Sequence, residues 1–224
     1  MSPRVGRLRW WMQDYLYAAQ HQWRAVQSKP SPNTLASGDR CPVVIVPGVY
    51  ERWQFLWPTV ARIHGAGHPV YTVDRLARNT DSIPRSARCV AEFITERNLS
   101  NVVLVAHSKG GLIGKFVMLN LDVNARVVGM IAVATPFLGS GWARYMLAPS
   151  LRAFSSHDPH ISALHARHEV NSRITSIYAA FDPHIPEGCA LPGARNIRIN
   201  TGGHFRLLDD PRAITAMMET LATY

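Results

Sequence analysis

The 224-residue chain is poor in cysteine, in lysine and in long apolar runs, and each shortage excludes a class of protein. Three cysteines (Cys41, Cys89 and Cys189) cannot all pair with one another, which argues against a disulfide-stapled scaffold. The longest nearly uninterrupted apolar run, Val127 to Leu138, has 12 residues, short of the ~18 that a membrane-crossing helix needs. Lysine occurs only at positions 29, 109 and 115 against 21 arginines, and no basic run marks a nucleic-acid arm, so no nucleic-acid partner is expected. A secretory leader is not expected either, because Gln13 and Asp14 interrupt the stretch from Trp10 to Tyr17 and no small-residue cleavage site follows. These absences together favour a cytoplasmic location. Phosphate loops of the GxxxxGK[ST] or GxGxxG type are missing as well.

What is present is 47% hydrophobic and 17% charged residues, enough for one core-forming domain, with a formal charge of +9. Residues 1 to 40 hold six basic residues against two acids, Asp14 and Asp39, so much of the excess lies at the N-terminus. Leu8, Trp11, Met12, Tyr15, Ala19, Trp23 and Val26 recur at steps of three or four and predict a helix over 1–29. The aromatic stripe is expected to pack on the domain; the alternative is that it lies on an anionic membrane surface, making the protein membrane-peripheral. A linker rich in Pro, Ser and Gly follows, so residues 1–40 read as helix plus linker and 41–224 as the main domain.

Beyond residue 41 short β-branched runs alternate with helical patterns. Strands are expected at 42–46, 69–73, 101–106, 126–133, 173–180 and 195–199, with helices at 53–64, 84–97, 109–121 and 211–221. This spacing predicts an α/β fold with a mostly parallel sheet of about six strands, covered by helices on both faces. Ligands of such sheets bind beyond the carboxyl ends of the strands, so the residues just after each strand are the ones to inspect.

After the third strand stands Ala106-His107-Ser108-Lys109-Gly110-Gly111. A serine on a sharp strand-to-helix turn needs small residues two places before and after it, and Ala106 and Gly110 supply them. A serine hydroxyl is a weak nucleophile until a base takes its proton, and the base needs an acid to orient it. Asp182 directly follows one late strand and His204, within Gly202-Gly203-His204-Phe205, follows another. The chain order Ser108, Asp182, His204 therefore sets out nucleophile, acid and base at one sheet edge. Asp74 precedes the serine and reads as structural; Asp158 lies in a polar stretch, and Asp209 and Asp210 stand before Pro211 as helix caps. His107 is expected to point away from Ser108, and His184 to lie near the site without being its base.

These motifs resemble the α/β-hydrolase superfamily, and within it bacterial lipases and esterases whose GxSxG turn carries Ala at the first glycine. The likeness runs from about Pro42 to the C-terminus. Val46-Pro47-Gly48-Val49 looks like the family's oxyanion turn, with Pro47 where His is usual, and Ala134-Thr135-Pro136-Phe137-Leu138-Gly139-Ser140 like the segment after the next strand. The resemblance implies an α/β-hydrolase fold and a serine hydrolase cleaving carboxylic esters, small-molecule or lipid. Thioesterase, acyltransferase and non-catalytic lipid- or partner-binding relatives are the alternatives. It implies oxyanion donors at the backbone N–H groups of Val49 and Lys109, with Tyr50 the neighbouring choice for the first; the Lys109 ammonium is not needed for this role, and the readings open for it are attraction of anionic substrates and a solvated lysine at the pocket mouth. The substrate pocket is expected from Tyr50, Trp53, Phe137 and Trp142.

No cofactor is required, because acyl transfer to serine and then to water needs only the three residues, the oxyanion donors and a pocket. The 38 residues from 136 to 173 leave room for a small lid carrying Trp142, Tyr145, Met146, Leu147, Leu151 and Phe154, with a plain crossover as the alternative. His157, His160, His165 and His168 lie in the same stretch without a completing Cys or Glu pattern, and read as surface histidines rather than metal ligands. Oligomeric state is not legible.

Overall fold

Val43-Val44-Ile45-Val46 is wholly buried, as are Val102 to His107, and such uninterrupted β-branched runs are what a parallel sheet covered on both faces demands. In a computed structural model, which describes residues 3–27, 31–152 and 154–224, they are adjacent inner strands of a six-stranded, all-parallel sheet. Its strands are β1 (Val43–Val46), β2 (Val70–Thr72), β3 (Val102–His107), β4 (Val127–Val133), β5 (Ile174–Phe181) and β6 (Arg195–Gly202), in the order β2-β1-β3-β4-β5-β6. Helices α1 (Pro3–Gln27), α2 (Trp57–Gly65), α3 (Ile83–Glu96), α4 (Lys109–Asn120), α5 (Pro149–Arg152), α6 (Pro159–Ala166) and α7 (Pro211–Leu221) complete the chain.

The period of two along each strand sorts the core into two layers. Val44, Val46, Leu104, Ala106 and Met130 face one side, under Ala87, Val90 and Ile94 of α3, Ile113 and Val117 of α4, and Ile161 and Leu164 of α6. Val43, Ile45, Val103, Val105, Ile131 and Ile177 face the other, under Val60 and Ile63 of α2 and Ala213, Met217 and Leu221 of α7. Burial of each Val, Leu, Ile or Met among them contributes about 1.5–3 kcal/mol. After β1 the chain moves outward to β2, and after β3 it moves to the opposite side towards β4. The carboxyl ends of β1 and β3 are therefore the switch point at which a crevice opens.

The N-terminal helix corrects one expectation. Most of the aromatic stripe faces away from the domain: Leu8, Trp11, Met12, Trp23 and Val26 are exposed, Trp23 to 67%, while Tyr15 sets its ring 5.5 Å from that of His184. The inward face is Trp10, Asp14, Tyr17, His21 and Ala25, of which Asp14 is fully buried. Trp10 stacks on Phe181 and Tyr17 on His21, while Phe55 meets both Tyr17 and His21 edge-on. This face meets polar backbone beyond β6 as well as apolar core, so it is not the most apolar face of the helix. The expected helix ends at residues 1–2 and 28–29 lie outside the described residues.

Within 136–173, α6 is capped by Asp158, which accepts from the N–H groups of His160 and Ile161. Asp210 caps α7 through the N–H of Arg212.

Candidate active site

Ser108 sits between β3 and α4 at φ 51° and ψ −120°, a left-handed conformation that costs a residue with a side chain about 1–3 kcal/mol. The turn is held because Ser108 N–H donates to the Val133 carbonyl at 2.8 Å and the Gly111 N–H donates to the Ser108 carbonyl at 3.1 Å. A methyl group on Gly110 would lie 2.0 Å from the Val46 carbonyl oxygen, and one on Gly111 would lie 2.0 Å from Thr135 Oγ1. Both glycines thus let α4 press against the strand ends, and the turn leaves Ser108 half-buried at the switch point.

Three strand ends converge there. His204 Nδ1–H donates to Asp182 Oδ2 at 2.7 Å, which leaves Nε2 as the acceptor for the Ser108 hydroxyl at 3.0 Å. Asp182 is held in turn by N–H donors from His184 at 2.8 Å and Ile185 at 3.2 Å on its Oδ1. Burial alone would raise the Asp182 carboxyl, but the charge and hydrogen bond of His204 outweigh it and hold the group below the usual carboxylate range. Burial likewise disfavours the His204 imidazolium, and the Asp182 charge and hydrogen bond, helped by Asp14 and Glu51, leave it above the ordinary histidine value. A base so tuned is poised to accept a proton.

Behind the line lie residues that sequence patterns did not single out. Glu51 is buried; its carboxylate accepts from the Gly48 N–H at 2.7 Å and pairs with His107 Nδ1 at 2.9 Å. His107 Nε2–H donates to the His204 carbonyl at 3.2 Å, so one carboxylate joins the turn after β1 to the loop after β6. Buried Asn79 donates from Nδ2 to the Pro47 carbonyl at 2.7 Å and accepts from Ser86 Oγ at 3.0 Å. An acid three residues beyond Gly48 in a turn was the one available clue to Glu51; nothing local marks Asn79.

Lys109 corrects a second expectation. Its side chain is not solvated but 1% exposed, and its Nζ donates to the Asn79 carbonyl at 2.8 Å and to that of Asp81. Burial, only partly opposed by Asp81, pulls the ammonium down to about 8. Its main chain stands where the sequence put it: Lys109 opens α4, so its N–H has no carbonyl four residues back within the helix. Val49 N–H has no partner among the described residues. Both follow directly on strand ends at the switch point.

The four residues expected to line the pocket separate. Trp53 and Phe137 are buried in opposite core layers, Trp53 at 7% and Phe137 at 2% exposure. Tyr50, at φ 62°, is exposed and its hydroxyl bonds Ser150 Oγ at 2.6 Å; Trp142 is 53% exposed. His184 comes close to the site, its ring centre 5.0 Å from that of His204, and burial together with His204 depresses it to about 4, so it is neutral. The segment carrying Trp142 is tied to the Asp182 loop: Ser140 Oγ donates to the His184 carbonyl at 2.7 Å and Gly141 N–H to Glu187 at 2.6 Å. A groove of about 340 Å³ lined by His21, Arg24, Gln54 and Trp57 lies between α1 and α2 and does not include Ser108.

Comparison with known proteins bears on this geometry. Among solved structures, a mature lipase of Bacillus licheniformis superposes with a TM-score of 0.65 at 16% identity, over 87% of this chain and 94% of that one. A monoacylglycerol lipase of Paleococcus ferrophilus gives 0.61 at 15% identity, over 82% and 96%. Lipase B of Aspergillus fumigatus gives 0.63 at 18% identity, over 82% of this chain, which spans only 52% of that one. At such identities the likeness shows the fold. No curated protein matches at the level of sequence. A family model described as the alpha/beta hydrolase family matches residues 43–184, from the first strand to the loop beyond Asp182, and the chain belongs to that family.

Proposed function

We propose that the protein is a serine hydrolase of carboxylic esters. The observation that carries this reading is the continuous line from Ser108 through His204 to Asp182, at 3.0 and 2.7 Å, assembled from three separate strand ends. Ser108 Oγ attacks the ester carbonyl while His204 Nε2 takes its proton, and Asp182 holds the tautomer and stabilises the imidazolium. The tetrahedral oxyanion is received by the N–H groups of Val49 and Lys109. His204 then protonates the departing alkoxide, leaving an acyl-serine. Water, deprotonated by the same ring, attacks that acyl group and releases the acid and the serine. The solved lipases that share the fold support carboxylic esters as the substrate class, with thioesters and acyl acceptors other than water as rivals.

A fluorophosphonate probe is expected to label the protein at one residue, Ser108, and a series of aryl esters of rising acyl length to show its preferred chain. Failure to label the wild type, or equal labelling of Ser108→Ala, refutes the reading.

We further propose that α1 contacts anionic membrane surfaces. Its outer face carries Leu8, Trp11, Met12, Leu16, Trp23 and Val26, together with exposed Arg9 and Arg24. Asp14, the single acid of the helix, is turned inward, so the exposed face has no acid to offset the arginines. Co-sedimentation with phosphatidylglycerol vesicles is expected, weakened by high salt and by the double substitution Trp11→Ser and Met12→Ser. Equal partitioning of wild type and variant overturns the proposal.

A further inference from the structure

The strongest unexplained feature is a carboxylate buried among backbone donors. Asp14 is 0% exposed and comes from a helix 190 residues away in sequence. Its Oδ2 accepts from the His204 N–H at 2.9 Å, and its Oδ1 from the N–H groups of Phe205 at 2.8 Å and Arg206 at 2.9 Å. Three consecutive backbone donors thus converge on one side chain, an arrangement that fixes the path of the chain between β6 and the short 3-10 helix Arg206–Asp209.

The loop is shaped to receive it. Gly203 has φ 125°, and a methyl group there would lie 2.5 Å from Asp14 Oδ1. A methyl group on Gly202 would lie 2.4 Å from the ring of Trp10. Both glycines before His204 therefore make room for α1, Gly202 for an indole and Gly203 for the carboxylate. Gln13 Oε1 adds a bond from Arg206 Nη1 at 2.6 Å on the same loop.

We propose that Asp14 is a positioning residue for His204, so that α1 forms part of the hydrolytic site instead of being an appendage to it. This rests on the serine hydrolase reading above. The His204 ring must satisfy two short contacts at once, 2.7 Å to Asp182 and 3.0 Å to Ser108. The Asp14 bonds anchor the main chain from which that ring projects, while the His107 bond holds its carbonyl from beneath. The groups that face the ring or its loop are Asp182 and His184 beyond β5, His107 at the end of β3, Glu51 after β1, Asp14 from α1 and Arg206 beside it. Asp14 also adds negative charge near the ring, and that charge favours the imidazolium formed as the serine attacks.

The test compares wild type with Asp14→Asn on a soluble aryl ester. The amide is nearly isosteric but loses the charge and one acceptor. Its kcat is expected to fall by about 10- to 100-fold with KM little changed, the size of effect typical of misplaced reacting groups. The acidic limb of kcat/KM is expected to move to lower pH, because removing a nearby negative charge makes the imidazolium easier to deprotonate. Gln20→Ala, at an exposed position of the same helix, is expected to keep wild-type kcat and pH profile. Wild-type kinetics and pH profile in Asp14→Asn overturn the proposal, as does a loss that follows the folded fraction at every pH. If Asp14→Asn does not fold, amide exchange in the wild type decides: protection at 204–206 supports the anchor, and exchange at the rate of a free loop overturns it. That measurement needs no turnover, so it also separates failure of this proposal from failure of the hydrolase reading, in which the wild type itself neither labels nor hydrolyses ester.

Discussion

Replacing Ser108 by alanine is expected to lower kcat/KM for an aryl ester by about 10⁴- to 10⁶-fold, to a floor set by binding and the oxyanion donors alone. His204→Ala is expected to fall to nearly the same floor, and the double variant no further. The reason is that the hydroxyl and the ring act as one unit: Nε2 has no proton to take without Ser108, and Ser108 stays a weak nucleophile without Nε2. Losses that multiply in the double variant would mean that the two residues contribute independently, against the relay proposed from their 3.0 Å contact. Stability is expected to change by no more than about 0.5 kcal/mol for Ser108→Ala, because the half-buried hydroxyl makes one side-chain bond and the Cβ remains. Steady-state kinetics and thermal melts of the three variants check this.

Gly110→Ala is expected to lower Tm by about 6–12 °C, corresponding to roughly 3 kcal/mol for a domain of this size. The added methyl would lie 2.0 Å from the Val46 carbonyl oxygen and 3.0 Å from that of Pro47. Both are main-chain atoms of the strand end and the turn that follows it, so neither can rotate away. Relief requires α4 to slide off β1, which separates Ser108 from the Val49 N–H. The same substitution at Gly65, where nothing lies within 4 Å of the added carbon, is expected to leave Tm within about 2 °C. A Gly110→Ala melt as close as that to wild type would show that the strand end yields more readily than its hydrogen bonding suggests.

The legible parts of this protein were those governed by local rules. Strands such as Val102 to His107 follow from the need to bury both faces of a parallel sheet, and the turn at Ser108 from the small residues that flank it. Asp182 and His204 were legible because the end of a strand is a fixed place relative to the sheet, so chain order carried over into spatial order. Periodicity misled in α1. It identified the helix but chose the wrong face as the buried one, because it ranks faces by apolarity while the docking face had to supply a carboxylate to three N–H groups. Lys109 misled for a similar reason. Lysine side chains are ordinarily solvated, and here two carbonyls from a distant loop bind its ammonium.

The amino-acid sequence by itself determined the alternating architecture, the turn that lifts Ser108 and the three residues at its edge, since each depends on neighbours a few positions apart. Only the tertiary structure decided what holds them. Glu51 with His107, Asn79 with Pro47 and Asp14 with His204 join positions 56, 32 and 190 residues apart. A buried polar group must find a partner wherever the fold brings one, and no local pattern records which partner that is.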